Sequence, residues 1–223
     1  MEGNNTFAAP LFLQTEGYLS GASDLDFLNT PIFTKEAQMD RTSESYDASG
    51  KQKVLIAYAT MAGSTAEIAE EIGKILRQTG YVVEVKRVDD ILDITDYTAA
   101  VIGSPIHSKA WRSEAIEFVR TYRHALSKIP VAYFTSSLTL GMVDSPNTRR
   151  QMNTCLIPLQ DEIYEVEPVS IAHFAGVLDF NRLPFMYRLA WPFTSGRKAK
   201  QGDYRNWHAI QTWAASLMPV FAS

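Results

Sequence analysis

The segment Thr60-Met61-Ala62-Gly63-Ser64-Thr65 puts hydroxyls at both ends of a short loop, with two small residues between them. Apolar residues at helical spacing follow it, so its backbone N–H groups stand at a helix start. Such a loop suits a phosphate held by amides, by the positive end of the helix dipole and by Thr and Ser hydroxyls. The same residues also suit an ordinary cap, with Ser64 or Thr65 closing the helix and Gly63 turning the chain. Two later segments add polar and ring atoms: Gly103-Ser104-Pro105-Ile106-His107-Ser108-Lys109 and Thr135-Ser136-Ser137-Leu138-Thr139-Leu140.

Several chemistries are excluded by what these segments lack. A nucleoside-triphosphate loop needs a Lys after its last Gly, and none follows Gly63; a dinucleotide fingerprint needs three glycines where only Gly63 stands. A phosphoacceptor receiver would carry acidic residues where this chain has Ala59-Thr60 and Gly103-Ser104. Neither C-x-x-C nor G-x-S-x-G occurs. What remains is a single phosphate bound without metal, which fits a mononucleotide cofactor. Among the four histidines no pair has metal spacing, and the single cysteine, Cys155, rules out an internal disulfide framework. His124, His173 and His208 fall in helix or strand runs and read as packing or surface residues.

These loops need a scaffold, and the pattern of apolar residues supplies one. Val54–Tyr58 reads as a β-rich run, and Thr65–Thr79 as a helix with Ile68, Ala69, Ile72, Ile75 and Leu76 in one stripe, stopped by Gly80. Strands are predicted at Tyr81–Lys86, Ala99–Gly103, Val131–Thr135 and Pro168–Phe174, and helices at Ser113–Ala125, Ser145–Leu156 and Tyr204–Leu217. Strands alternating with helices imply right-handed crossovers and a doubly wound α/β domain of five parallel strands. In such a sheet the ligand lies beyond the carboxyl ends of the strands, where the three segments fall.

The chain has 223 residues, 46% of them hydrophobic, enough for a core without staples. Charge marks a boundary. Residues 1–50 hold two basic residues against eight acidic ones, a net of −6, while the whole chain carries −4. This segment has no sustained period and reads as an irregular acidic extension, with residues 51–223 as the domain. Its start has no early Lys or Arg, so neither a secretory signal nor a transit peptide is expected. No apolar run approaches the roughly 20 residues of a membrane span.

The run "KVLIAYATMAGST" resembles the opening strand and phosphate loop of the flavodoxin-like family, in the T-x-x-G-x-T form. The resemblance extends over about Lys53 to Leu217 and implies strand order 2-1-3-4-5 and a bound FMN. It puts the 5′-phosphate on Thr60, Met61, Ala62, Gly63, Ser64 and Thr65. The ring would then be flanked by Ser104, Pro105, Ile106 and His107 on one side and Thr135, Ser136, Ser137 and Leu138 on the other. Either His107 or Trp111 would be placed to stack on the ring or to bond its edge. Within the family, "VIGSPIHSKAW", "IPVAYFTSSLTL" and the opening "GDYRNWHAI" of the last helix are similar to the quinone-dependent protoporphyrinogen IX dehydrogenase group. That group carries a long insertion where this chain has about 176–203. The Pro-rich "LPFMYRLAWPFTSGRK" departs from the clean amphipathic helix found there.

Read from its residues alone, the insertion interleaves Arg182, Arg188, Arg197, Lys198, Lys200 and Arg205 with Phe180, Phe185, Tyr187, Trp191 and Phe193. Cations beside aromatics suit an anionic tetrapyrrole or a lipid interface; they equally suit rings packed on the domain with solvated charges. Nucleic acid is not expected, because the domain is nearly neutral. The leading expectation is therefore an FMN-dependent oxidoreductase acting on a porphyrinogen with a quinone acceptor, cytoplasmic, with peripheral contact at the inner face of the membrane. A flavodoxin-like electron carrier with protein partners is the alternative, and a flavin-free scaffold the third. No catalytic acid, base or nucleophile stands out.

Overall fold

Val54, Leu55, Ile56 and Ala57 offer no polar residue to either side of a pleat, a pattern only a strand covered on both faces can bury. The computed structural model describes residues 50–107, 109–142, 145–156, 165–183, 185–191 and 200–222, and all four are fully buried in β1 (Lys53–Tyr58). With β2 (Val82–Arg87), β3 (Ala99–Pro105), β4 (Val131–Ser137) and β5 (Ser170–Ala175) it makes a parallel sheet of order β2-β1-β3-β4-β5. The expected doubly wound sheet is the one found. The acidic extension read at residues 1–50 lies outside the described residues apart from Gly50.

Alternate side chains of each strand feed two separate cores, as the two-residue period requires. On one face Val54, Ile56, Val101 and Phe134 pack with Ile68, Ile72 and Leu76 of α1 (Ser64–Gln78) and with Ile210 and Ala214 further on. On the other, Leu55, Ala57, Ile102 and Tyr133 meet Ala115, Phe118 and Val119 of α2 (Ser113–Leu126). Gly103 in β3 is required by packing: a Cβ there would collide with the Phe134 ring of the neighbouring strand.

After β4 comes a short helix that the sequence did not predict, α3 (Leu138–Met142). The next, α4 (Pro146–Thr154), starts at Ser145, whose hydroxyl accepts from Thr148 N at 3.2 Å. Cys155 is its buried C-cap rather than a mid-helix residue. The insertion contains a two-stranded antiparallel pair, β6 (Val177–Leu178) with β7 (Gly202–Asp203), and a short helix, α5 (Phe185–Ala190). The final long helix, α6 (Trp207–Ser216), begins later than Tyr204 because the Asn206 side chain accepts from Ala209 N at 3.0 Å and fixes the cap. A last turn, α7 (Met218–Phe221), buries Phe221 against the first core.

Candidate functional site

Beyond their strands the loops remain tied at the carboxyl edge of the sheet. Ala59 N donates to Gly103 O at 2.9 Å, Ile106 N to Ser136 O at 2.8 Å and Gly176 N to Ser137 O at 3.1 Å. These bonds continue the ladder past β1, β3, β4 and β5. They bring Met61, Ala62, Ser64 and Thr65 of the first loop, Pro105, Ile106 and His107 of the second, and Ser136, Ser137, Leu138 and Thr139 of the third around one cavity of about 320 Å³. That volume lies at the lower end of small-molecule sites. A larger, more open groove of about 700 Å³ lies between Val88–Ile91 and α2, and none of its lining residues belongs to these three loops.

The remaining sequence-derived residues, Thr60, Gly63, Ser104 and Thr135, do not line the cavity. Thr60 Oγ1 accepts from Gly63 N at 3.0 Å, which closes the loop on itself. Ser104 is fully buried and its Oγ accepts from Arg112 N at 3.0 Å. Thr135, also buried, meets His173 Nδ1 at 2.8 Å, and His173 Nε2 meets Asn153 Oδ1 at 2.6 Å. Trp111 is not in the cavity: it is buried against Tyr133, ring centroids 5.2 Å apart.

The first loop fits a phosphate on two observations. Gly63 is the N-cap of α1 at φ 89, and no side chain caps the helix, so neither Ser64 nor Thr65 serves as the cap. The first N–H groups of a helix have no intrahelical acceptor, and Ser64 and Thr65, the first residues of this one, line the cavity. Second, the Thr65 and Ser136 hydroxyls lie 2.8 Å apart, both buried, which fixes the first loop against the third. A hydroxyl pair of this kind keeps acceptor and donor capacity for a ligand.

The insertion supplies the rest of the wall. Gly176, Val177, Leu178, Leu183, Tyr187 and Trp191 line the cavity. Tyr187 stands edge-on to His107, with centroids 5.3 Å apart and the Tyr hydroxyl 3.4 Å from Nε2; Trp191 stacks edge-on to Phe180 at 5.4 Å. Charge pairs fasten the insertion's base to α1. Glu67 accepts from Arg182 Nη1 and from Arg205 Nη1, each at 2.5 Å. Burial pushes the Glu67 carboxyl up, but the bonds from Arg205 and Arg182 outweigh it and hold the group below its ordinary range. Tyr187 and Trp191 are among the aromatics of the insertion that the sequence marks as suited to a tetrapyrrole, whereas Gly176, Val177, Leu178 and Leu183 carry no such mark; the carboxyl-end rule applied to the end of β5 at Ala175 points to them.

Sheet order, a loop at the head of α1 without a side-chain cap and a cavity at the carboxyl edge define a doubly wound α/β protein with a cavity built by its strand-following loops. The chain belongs to the flavodoxin-domain family, a family of flavin-binding proteins, whose sequence model matches residues 55–203. It is similar to the protoporphyrinogen IX dehydrogenase (quinone) of Leishmania major, 26% identical over 184 residues that cover 76% of each chain. Among solved structures, a flavodoxin from the domain Archaea is similar with a TM-score of 0.50 at 14% identity, over 77% of this chain and 100% of that one. A rubredoxin oxygen:oxidoreductase from Desulfovibrio gigas gives 0.47 at 14% identity, over 84% of this chain; this chain spans 39% of that protein's length. Among the described residues no three His, Cys, Asp or Glu side chains are grouped to hold a metal ion.

Proposed function

We propose that the chain is an FMN-dependent oxidoreductase that oxidises a porphyrinogen and passes the electrons to a quinone. The observation that carries this reading is the wall of Leu183, Tyr187 and Trp191 over the cavity. A carrier that serves protein partners needs an open flavin edge, whereas an apolar and aromatic wall suits a small organic substrate. The likeness to a protoporphyrinogen dehydrogenase supports the substrate class.

In this reading Thr60, Met61, Ala62, Gly63, Ser64 and Thr65 hold the phosphate, while Ser104 to His107 and Thr135 to Leu138 flank the ring. FMN, when bound, supplies acceptance of electrons and hydride, and the protein supplies position and environment. Ser136 and Thr65 orient the first loop through their shared hydrogen bond. His107 and Tyr187 brace each other in the cavity wall, and Leu178 and Leu183 add apolar surface to it. Lys200 offers a cation to substrate carboxylates. Residues 51–223 form the catalytic domain, with residues 1–50 as an extension outside its chemistry. The exposed apolar surface of α5 suits peripheral contact with a cytoplasmic membrane face, where a lipid-soluble quinone is reached.

Two measurements test this. Purified protein should carry flavin absorption bands and one FMN per chain, and should oxidise protoporphyrinogen IX with a quinone acceptor. Excising Leu178–Gln201 is geometrically mild, because Leu178 and Gly202 already face each other across the β6–β7 pair. The excised protein, assayed at FMN concentrations that saturate it, should still bind FMN and should lose porphyrinogen turnover. Full-length protein with bound FMN and no turnover with any quinone removes the enzymatic reading, and unimpaired or faster exchange with a redox protein after excision favours the carrier.

A further inference from the structure

The loop that would hold the phosphate has a carboxylate beside it. Glu67 lies in the first turn of α1, where an anion arriving at Gly63–Thr65 meets its field. Two arginines, Arg182 in the insertion and Arg205 just after it, answer that charge, and they differ in kind. Arg205 is fixed: its side chain is only 7% exposed, it binds Asp203 through Nη2 at 2.6 Å and Glu67 through Nη1 at 2.5 Å, and it lies 4.3 Å over the Trp207 ring. Arg182 is not. Its side chain is 48% exposed, and among the described residues its ion pairs are with Glu67 and, through Nε at 3.4 Å, with Asp179.

When Arg182 turns away, Glu67 keeps the guanidinium of Arg205, which it shares with Asp203; Arg182 is thus the more readily released of the two. Its position is nevertheless well defined. Arg182 N donates to Asp179 O at 3.2 Å and Asn181 N to Asp179 Oδ1 at 2.9 Å, a turn that leaves β6 directly. This turn stands over the phosphate loop: a Cβ placed on Gly63 would sit 3.9 Å from Arg182 Nη1, and one on Gly176 would sit 3.8 Å from Ser64 Oγ. A guanidinium has five N–H donors in a planar fork that matches a phosphate, so Arg182 has donors to spare at the rim of the loop.

We infer that Arg182 is a phosphate ligand delivered by the insertion, so that the segment closing the cavity is fastened by the cofactor it covers. The inference rests on the flavin reading above and adds a cation to a loop otherwise built of amides and hydroxyls. A phosphate near −2 outbids a single carboxylate for the fork; Arg182 turns toward it while Arg205 keeps Glu67. Cofactor binding and closure of the insertion then become one event.

The test compares FMN with riboflavin, which has the same ring and no phosphate. Affinities are measured by quenching of flavin fluorescence on wild-type protein, Arg182→Gln and Arg182→Lys, with thermal denaturation to verify folding. The expected result is that Arg182→Gln weakens FMN by about ten- to hundredfold, the range of a lost charged hydrogen bond, and leaves riboflavin within about twofold, because no phosphate contact is lost. Arg182→Lys falls between. FMN, but not riboflavin, should slow tryptic cleavage after Arg188 in the wild type, and protection should be lost in Arg182→Gln. FMN bound equally by wild type and Arg182→Gln overturns this inference and leaves the flavin reading standing. Equal weakening of both flavins overturns it as well, since Arg182 then acts only on structure. Wild-type protein that binds neither flavin overturns the flavin reading and this inference with it.

Discussion

The hydroxyls of Thr65 and Ser136 lie 2.8 Å apart although 71 residues separate them. One belongs to the helix that follows β1 and the other to the end of β4, so a single hydrogen bond joins the first and third loops beneath the cavity. Both groups are buried, and a buried hydroxyl deprived of its partner costs about 1–3 kcal/mol. Thr65→Val should therefore lower stability by about that amount, and Ser136→Ala by a similar one. The double variant should cost clearly less than the sum, because it leaves no orphaned group. Chemical denaturation of the four proteins measures the coupling; strictly additive values would mean that the bond carries no energy.

A second case where packing dictates sequence is Gly103 against Phe134. The ring occupies the place of the missing Cβ, and neither strand can move, since β3 and β4 pair along six residues from Ala100↔Val131 to Pro105↔Ser136. Gly103→Ala should destabilise by about 1–3 kcal/mol, as overpacking does. Adding Phe134→Leu should recover part of the loss by vacating the ring's space. Thermal melts decide it, and a Gly103→Ala protein as stable as the wild type would contradict the packing.

The sheet was legible because parallel strands buried on both faces must be continuous apolar runs, and Val54–Tyr58 and Val131–Thr135 are such runs. The three loops were legible because they follow those strands directly. The Thr65–Ser136 bond was not, because hydroxyls in two loops carry no mark of mutual distance. Glu67 with Arg182 and Arg205 was equally hidden, as the partners are 115 and 138 residues away. Helix α5 escaped for another reason: none of its residues is buried, so it lacks the stripe by which helices are recognised. Local capping moved the start of α6, since Asn206 outweighed the apolar pattern that suggested Tyr204.

Behind the third loop, His173 bridges Thr135 and Asn153. Burial, reinforced by the positive charge of Arg149, pulls its pKa below the ordinary value. The sign follows from linkage. A histidine depressed in the folded state is more readily protonated when unfolded, so its contribution is complete above the unfolded value near 6.5 and is lost as pH falls below it toward the folded value. Stability should therefore decline between about pH 7 and 5, and His173→Gln should flatten that slope while costing about 1 kcal/mol at neutral pH for a weakened hydrogen bond. Denaturation midpoints across that range check this; an identical slope in the variant would remove His173 as the source.

Helix α5 presents Phe185, Met186 and Leu189 at 72%, 70% and 62% exposure. At 100° per residue these three fall within one arc of the helix, and Tyr187, which lines the cavity, points to the opposite side. One side thus closes the site while the other offers apolar surface, with Arg188 beside it to meet anionic headgroups. Among the described residues no helix is long and apolar enough to cross a membrane. The intact protein should float with anionic liposomes at low salt and be released as salt rises, because the electrostatic part is screened. Changing Phe185, Met186 and Leu189 together to Ser should reduce capture by at least about tenfold, since each buried side chain of this size contributes roughly 1.5–3 kcal/mol. Thermal stability should hardly change, as all three are solvated in the folded chain. If wild-type protein stays with the buffer at low salt, or the triple variant floats as well as the wild type, this surface does not meet a membrane.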